Sequence, residues 1–174
     1  TPASSNVTYF ESADANTIPV FRISKILSPI GGGTQTTING IFDLQTNITF
    51  TGGSHKNFRN GITGTGILTQ NTPSGNFKIA GNNAVLGGEN LVIILNAPLH
   101  FDSMVTVPVN KDVTISGANI NNNVLGNIFT INGKLDVTNV DISNANGSVV
   151  VGSTGNFRTA GTTITGSREL CAIP

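Results

Sequence analysis

Short stretches of alternating apolar and polar residues recur along the second half of the chain. Val113-Thr-Ile115, Leu135-Asp-Val137 and Phe157-Arg-Thr159 each put every second residue on one face, which is the period of a β-strand. Shifted by 22 residues they fall on one another: Leu91, Val113, Leu135 and Phe157 form one column, and Ile93, Ile115, Val137 and Thr159 a second. Ile120, Ile142 and Ile164 form a third, and Val85, Val107, Phe129 and Val151 a fourth. Corner positions keep the same interval, in Asn110, Asn132 and Thr154 and in Gly117, Asn139 and Gly161. Asn and Gly there supply the left-handed backbone that sharp bends need. Each repeat is thus about three short strands joined by tight corners. Such a unit cannot bury its apolar face alone, so the repeats are expected to stack into a parallel β-solenoid with one continuous core.

The first half follows the same grammar less regularly. Residues 40–52 read as strand, corner, strand, and Gly75–Ile79 resembles Gly155–Thr159, but the 22-residue interval breaks between them. Loops at 52–56 and 70–74 are expected to interrupt the coils. Upstream, Val20, Ile23, Ile26, Leu27 and Ile30 have helical spacing behind Pro19, which predicts a short helix capping the open end of the stack. The alternative is another strand over Val20–Ser24. The expected organisation is an N-terminal arm and cap over 1–33, with residues 1 to about 17 polar, a solenoid over 34–167 in about six coils, and a C-terminal tail over 168–174.

Composition narrows the function classes. Charged residues make up 10% of the 174 positions, against about 25% in an ordinary globular chain. Nine Lys and Arg balance nine Asp and Glu. A nucleic-acid-binding domain needs a basic stripe, so no nucleic-acid partner is expected. Solubility rests on 23 Asn, 22 Thr and 21 Gly. With net charge near zero, repulsion does little to keep copies apart. No apolar run approaches the length of a membrane-spanning helix, so no membrane partner is expected. The chain opens at Thr1 without Met or a basic leader, consistent with a removed signal peptide or with a piece of a longer protein. Asn6, Asn47 and Asn146 begin matches to the glycosylation pattern, which chance supplies readily in a chain this rich in Asn and Thr. A lone Cys171 excludes an internal disulfide.

Candidate chemistry is sparse. In the 22-residue register Asp112 lies beside Lys134 and Asp136 beside Arg158, and both pairs fall on outward positions. They read as contacts between neighbouring coils. A carbohydrate-cleaving site on such a scaffold needs paired carboxylates on one face. Asp136 and Asp141 share a coil, but a corner turns them apart, and no cluster concentrates three acids among Glu11, Asp14, Asp43, Glu89, Asp102, Asp112, Asp136, Asp141 and Glu169. His55 and His100 stand alone, and no His or Cys pair has metal-ligand spacing. Gly31–Gly33 lacks the lysine of a phosphate-binding loop. The expectation is therefore no catalytic residue, no cofactor and no metal.

The run Asn127–Asn144 (NIFTINGKLDVTNVDISN) resembles the rung of right-handed parallel β-helix proteins, and Ile38–Phe50 (INGIFDLQTNITF) is similar to the first coil of many of them. That superfamily holds pectate-lyase-like enzymes, bacterial adhesin passengers, and phage tail spikes and fibres. The resemblance covers residues 34–167, and it implies an all-β, right-handed parallel β-helix. No catalytic motif of the family maps onto the chain, and one architecture hosts many functions. Together, low charge and resemblance imply a non-catalytic structural or attachment protein of a virion. Such a protein is expected at the virion surface or outside the cell, as a homotrimer among other virion proteins, with a host surface glycan as a further partner. The alternatives are a bacterial adhesin fragment and a polysaccharide-degrading enzyme with its site between subunits. Ice binding fits poorly, since Thr114, Asp136 and Arg158 make a mixed outward column.

Overall fold

The computed structural model describes residues 8–11, 18, 20–23, 36–51, 56–71, 77–80, 83–96, 99–102, 104–118, 120–122, 126–140, 142–144, 147–166 and 170–172. Among them every regular element is a strand, and no helix is long and apolar enough to cross a membrane.

The strands visit three sheets in rotation. The first sheet stacks β1 (Thr8–Glu11), β3 (Thr36–Asn39), β6 (Lys56–Phe58), β9 (Phe77–Ala80), β12 (Leu99–Asp102), β15 (Ile120–Asn122), β18 (Ile142–Asn144) and β21 (Ile164–Gly166). The second stacks β2 (Val20–Ile23), β4 (Ile41–Leu44), β7 (Gly61–Gly64), β10 (Ala84–Gly87), β13 (Val105–Val107), β16 (Gly126–Ile131), β19 (Gly147–Val151) and β22 (Leu170–Ala172). The third stacks β5 (Ile48–Thr51), β8 (Ile67–Asn71), β11 (Glu89–Leu95), β14 (Asp112–Gly117), β17 (Lys134–Thr138) and β20 (Asn156–Ala160). Neighbours in each sheet pair in parallel, one coil apart, for example β14 with β17 and β17 with β20. The chain is therefore a parallel β-solenoid, and the sequence repeat is one turn of it.

Inward positions build one core running from Ile38 to Val149. Its N-terminal part is aromatic. Phe42, Phe50, Phe58 and Phe77 are all buried, with neighbouring ring centroids 5.0 to 6.3 Å apart. Farther along, Phe101 meets Phe129 edge-on at 5.2 Å. Each such pair adds about 0.5–1.5 kcal/mol to the area it buries. Among the described residues, Lys56 and Gln70 break the pattern: both are fully buried on inward positions, and burial pushes the Lys56 ammonium below the usual lysine range.

The third sheet keeps the register of the sequence repeat. Leu91, Val113, Leu135 and Phe157 align, as do Ile93, Ile115, Val137 and Thr159. Corners after β14, β17 and β20 share one device, since Gly117, Asn139 and Gly161 all have positive φ. Asn83, Asn90 and Asn110 bend the chain likewise. In the first sheet Ile120 pairs with Ile142 and Ile142 with Ile164; the burial of those side chains lies outside the described residues.

The second sheet departs from the strict interval. Phe129 pairs with Val105 and Val149, while Val107 pairs with Ile131 and Ile131 with Val151. The expected column of Val107, Phe129 and Val151 is therefore offset by two positions. Such a slip preserves the face, so Val107 and Phe129 are still buried. Val85 is offset by one: it pairs with Thr106, and Ala84 and Leu86 take the core positions beside it.

The helical cap is not what forms at its start. Val20–Ile23 is β2, paired with Ile41–Leu44 of β4. The edge of β4 presents a row of backbone donors and acceptors, and a strand satisfies them with a ladder that a helix cannot make. Residues 24–30 lie outside the description. Within the expected arm, Thr8–Glu11 is β1 and pairs with β3, and within the expected tail Leu170–Ala172 is β22 and pairs with β19.

Candidate functional site

Among the described residues, the outer face of the second sheet carries a polar cluster centred on Asp43. Strand alternation turns Phe42 and Leu44 inward and Asp43 outward, and the same parity puts Arg22 of β2 and Thr63 of β7 on either side of it. Arg22 Nε donates to Asp43 Oδ2 at 2.6 Å. Gln45 Nε2 donates to Asp43 Oδ1 at 2.8 Å, and Thr63 Oγ1 to the same oxygen at 3.3 Å. Three neighbours cover the carboxylate so well that Asp43, although on the outer face, is 5% exposed. Burial alone raises its pKa. The hydrogen bonds and charge of Arg22, with the bonds from Gln45 and Thr63, outweigh burial and hold the carboxyl below its usual range.

A groove of about 380 Å³ opens beside this cluster. Glycines in its lining mark where the coils pass closely. A Cβ on Gly64, where φ is +111°, would lie 2.1 Å from the Leu44 carbonyl oxygen, and a Cβ on Gly88 would lie 1.5 Å from the Gly64 oxygen. Side chains are thus excluded at Gly64 and Gly88, whereas a Cβ on Gly87, also in the lining, would meet only side-chain atoms of Pro108 and Lys111. Val85 and Pro108 supply apolar walls. Glu89 and Lys111 also line it, and among the described residues neither is held in an ion pair.

The acid–base pairs expected between coils are found in part. Lys134 Nζ lies 3.9 Å from Asp112 Oδ2. Asp136 aligns with Arg158 in the ladder, yet its carboxylate is taken by Lys134, 3.0 Å from Oδ2 and on the same face of β17. Arg158 sits on β20, the last described strand of its sheet, and is exposed. The expectation of an Asp136–Arg158 pair is corrected to a Lys134-centred triad. Asp136 Oδ1 is buried without a hydrogen-bond partner among the described residues.

Other singled-out residues stay apart. His100 is half-buried on β12, aligned with Lys78 and Asn121. Asp14, His55, Asp141 and Glu169 lie outside the described residues, as do the side chains of Glu11, Asp102 and Cys171. Among the described residues no three His, Cys, Asp or Glu come close enough to hold a metal ion. Sequence columns do not bring Arg22 and Asp43 together. The two are one coil apart, but that coil is shorter than the repeat that makes the columns visible.

Comparison with known proteins leaves the chain on its own structural evidence: no family model, no curated protein and no solved structure matches it.

Proposed function

We propose that the chain is a non-catalytic structural and attachment module of a virion surface, of the tail-spike, fibre or capsid-component kind, working as a homotrimer with its solenoids side by side. The observation that carries this reading is the use made of charge. Asp43 is bound by Arg22 of the coil before it, and Lys134 holds Asp112 of the coil before and Asp136 of its own. These groups join coil to coil, as a scaffold requires. With formal net charge zero, flanks of identical copies meet without repulsion. Each protomer should bury more than about 800 Å² against its partners, the share of a standard interface.

Light scattering on the purified chain tests the proposal. A particle of three times the single-chain mass is expected. A stable monomer down to low micromolar concentration overturns it. Asp136 Oδ1, buried and without a hydrogen-bond partner among the described residues, supports one rival, a polysaccharide-degrading site. Asp136→Asn distinguishes them. A glycan-cleaving activity that disappears in a folded Asp136→Asn protein would replace the structural reading with the enzymatic one.

A further inference from the structure

We infer that the groove beside Asp43 binds a neutral sugar unit of a surface glycan, a deepening that rests on the attachment reading above. Room is the first argument: about 380 Å³ falls within the ~300–1,000 Å³ of small-molecule sites, and a pyranose ring is compact enough to enter. Charge is the second. The lining holds two cationic side chains, Arg22 and Lys111, and two anionic ones, Asp43 and Glu89, so its formal charge favours neither an anionic nor a cationic ligand. Donor and acceptor supply is the third. A sugar hydroxyl both donates and accepts, and the groove offers Arg22 and Lys111 as donors, the Glu89 carboxylate as acceptor and the Gln45 amide as either.

The geometry is prepared in advance. Arg22 Nε is held on Asp43 at 2.6 Å while the Arg22 side chain remains 68% exposed, so the guanidinium is anchored at one nitrogen and open to solvent. Little ordering cost then falls on binding. Gly87 and Gly88 in the lining carry no side chain and let a ring approach the backbone, and Val85 and Pro108 can pack against its C–H face. An extended peptide is a poorer occupant. It would need a free sheet edge, and β4, β7 and β10 are each paired on both sides.

The full-length chain is titrated with maltotetraose, cellotetraose, mannotetraose and N-acetylchitotetraose, with tetragalacturonate as the charged comparison, and followed by amide NMR. At least one neutral sugar should shift the Thr63, Gly87 and Gly88 signals. Gly87→Gln grows a side chain into the groove. Its Cβ meets only side-chain atoms, Pro108 Cδ at 3.1 Å and Lys111 Cγ at 3.2 Å, so the fold should hold, as unshifted β14 signals would verify. Binding should weaken at least tenfold in that variant, and likewise in Glu89→Gln combined with Lys111→Met. The inference fails if no neutral sugar moves these amides, if tetragalacturonate alone does, or if Gly87→Gln binds as the parent does. Light scattering on the same samples separates the two readings. A trimer without groove binding removes the sugar site and leaves the scaffold. A monomer that binds sugar through Gly87 removes the assembled module and leaves the site.

Discussion

Asp43 shows how one buried carboxylate can fasten three successive coils, through Arg22 of β2, its own β4 and Thr63 of β7. Because its folded pKa is depressed, its contribution is present above the ordinary aspartate range and is lost as pH falls through the folded value. Asp43→Asn should lower stability by about 1.5 kcal/mol at pH 7, the scale of a hydrogen bond to a charged group, reduced by the exposure of Arg22. Urea unfolding at pH 7 and again near pH 3 checks this: the gap between parent and variant should shrink at the acid end. A gap that is unchanged would show that packing rather than charge makes the contribution. Lys56 gives the same linkage with an opposite meaning. Its folded pKa is also depressed, by burial, so the cost of holding the charge inside is full at and below neutral pH and disappears as pH rises towards the ordinary lysine value. Lys56→Met, similar in length and apolar, should lose ground to the parent in stability as pH rises from 7 to 10, whatever the contacts of Lys56 contribute at both. A difference independent of pH would contradict the desolvation of Lys56.

At the scale of strands and corners, the stack depends on places where backbones nearly touch. Gly88→Ala puts a Cβ 1.5 Å from the Gly64 oxygen, a clash that only a backbone shift relieves. It should cost more than about 2 kcal/mol in urea unfolding, within the usual range of damaging single changes. The neighbouring Gly87→Ala meets only side-chain atoms and should cost far less; equal losses would contradict this account of the corner. The same corners explain what the sequence reveals. The third sheet is legible because Gly117, Asn139 and Gly161 make equivalent bends, so β14, β17 and β20 follow one another at a constant interval. The earlier coils differ in length. Phe42 pairs with Ile62 and Ile62 with Leu86, a short coil followed by a longer one. A fixed interval reveals the alternation in those strands but cannot align them. That is why it puts Val85 in a core column although Thr106 is its partner, and why it leaves Arg22 away from Asp43. Residues 20–30 mislead for another reason. Val20 and Ile23 fit helical spacing, but the ladder offered by β4 decides the matter, and local spacing carries no trace of it.

For the molecule as a whole, stacked coils contact only their neighbours, so stability should vary along the axis as it does in other repeat architectures. β14 lies between β11 and β17, and its inward residues Val113 and Ile115 are buried. β20 is paired with β17 alone among the described residues, and four of its five positions are exposed. Hydrogen exchange should therefore proceed at least a hundredfold faster in β20 than in β14, with β17 between them. The gradient also bears on assembly. Side-by-side packing of copies adds no strand to β20 and preserves the gradient. End-to-end packing would lay another strand on β20 and raise its protection towards that of β14. Measuring β20 at concentrations above and below assembly thus reads the direction of packing: rates that fall only at high concentration would place the contact at the end of the stack, and exchange that stays fast while the mass is that of a trimer would place it on the flanks.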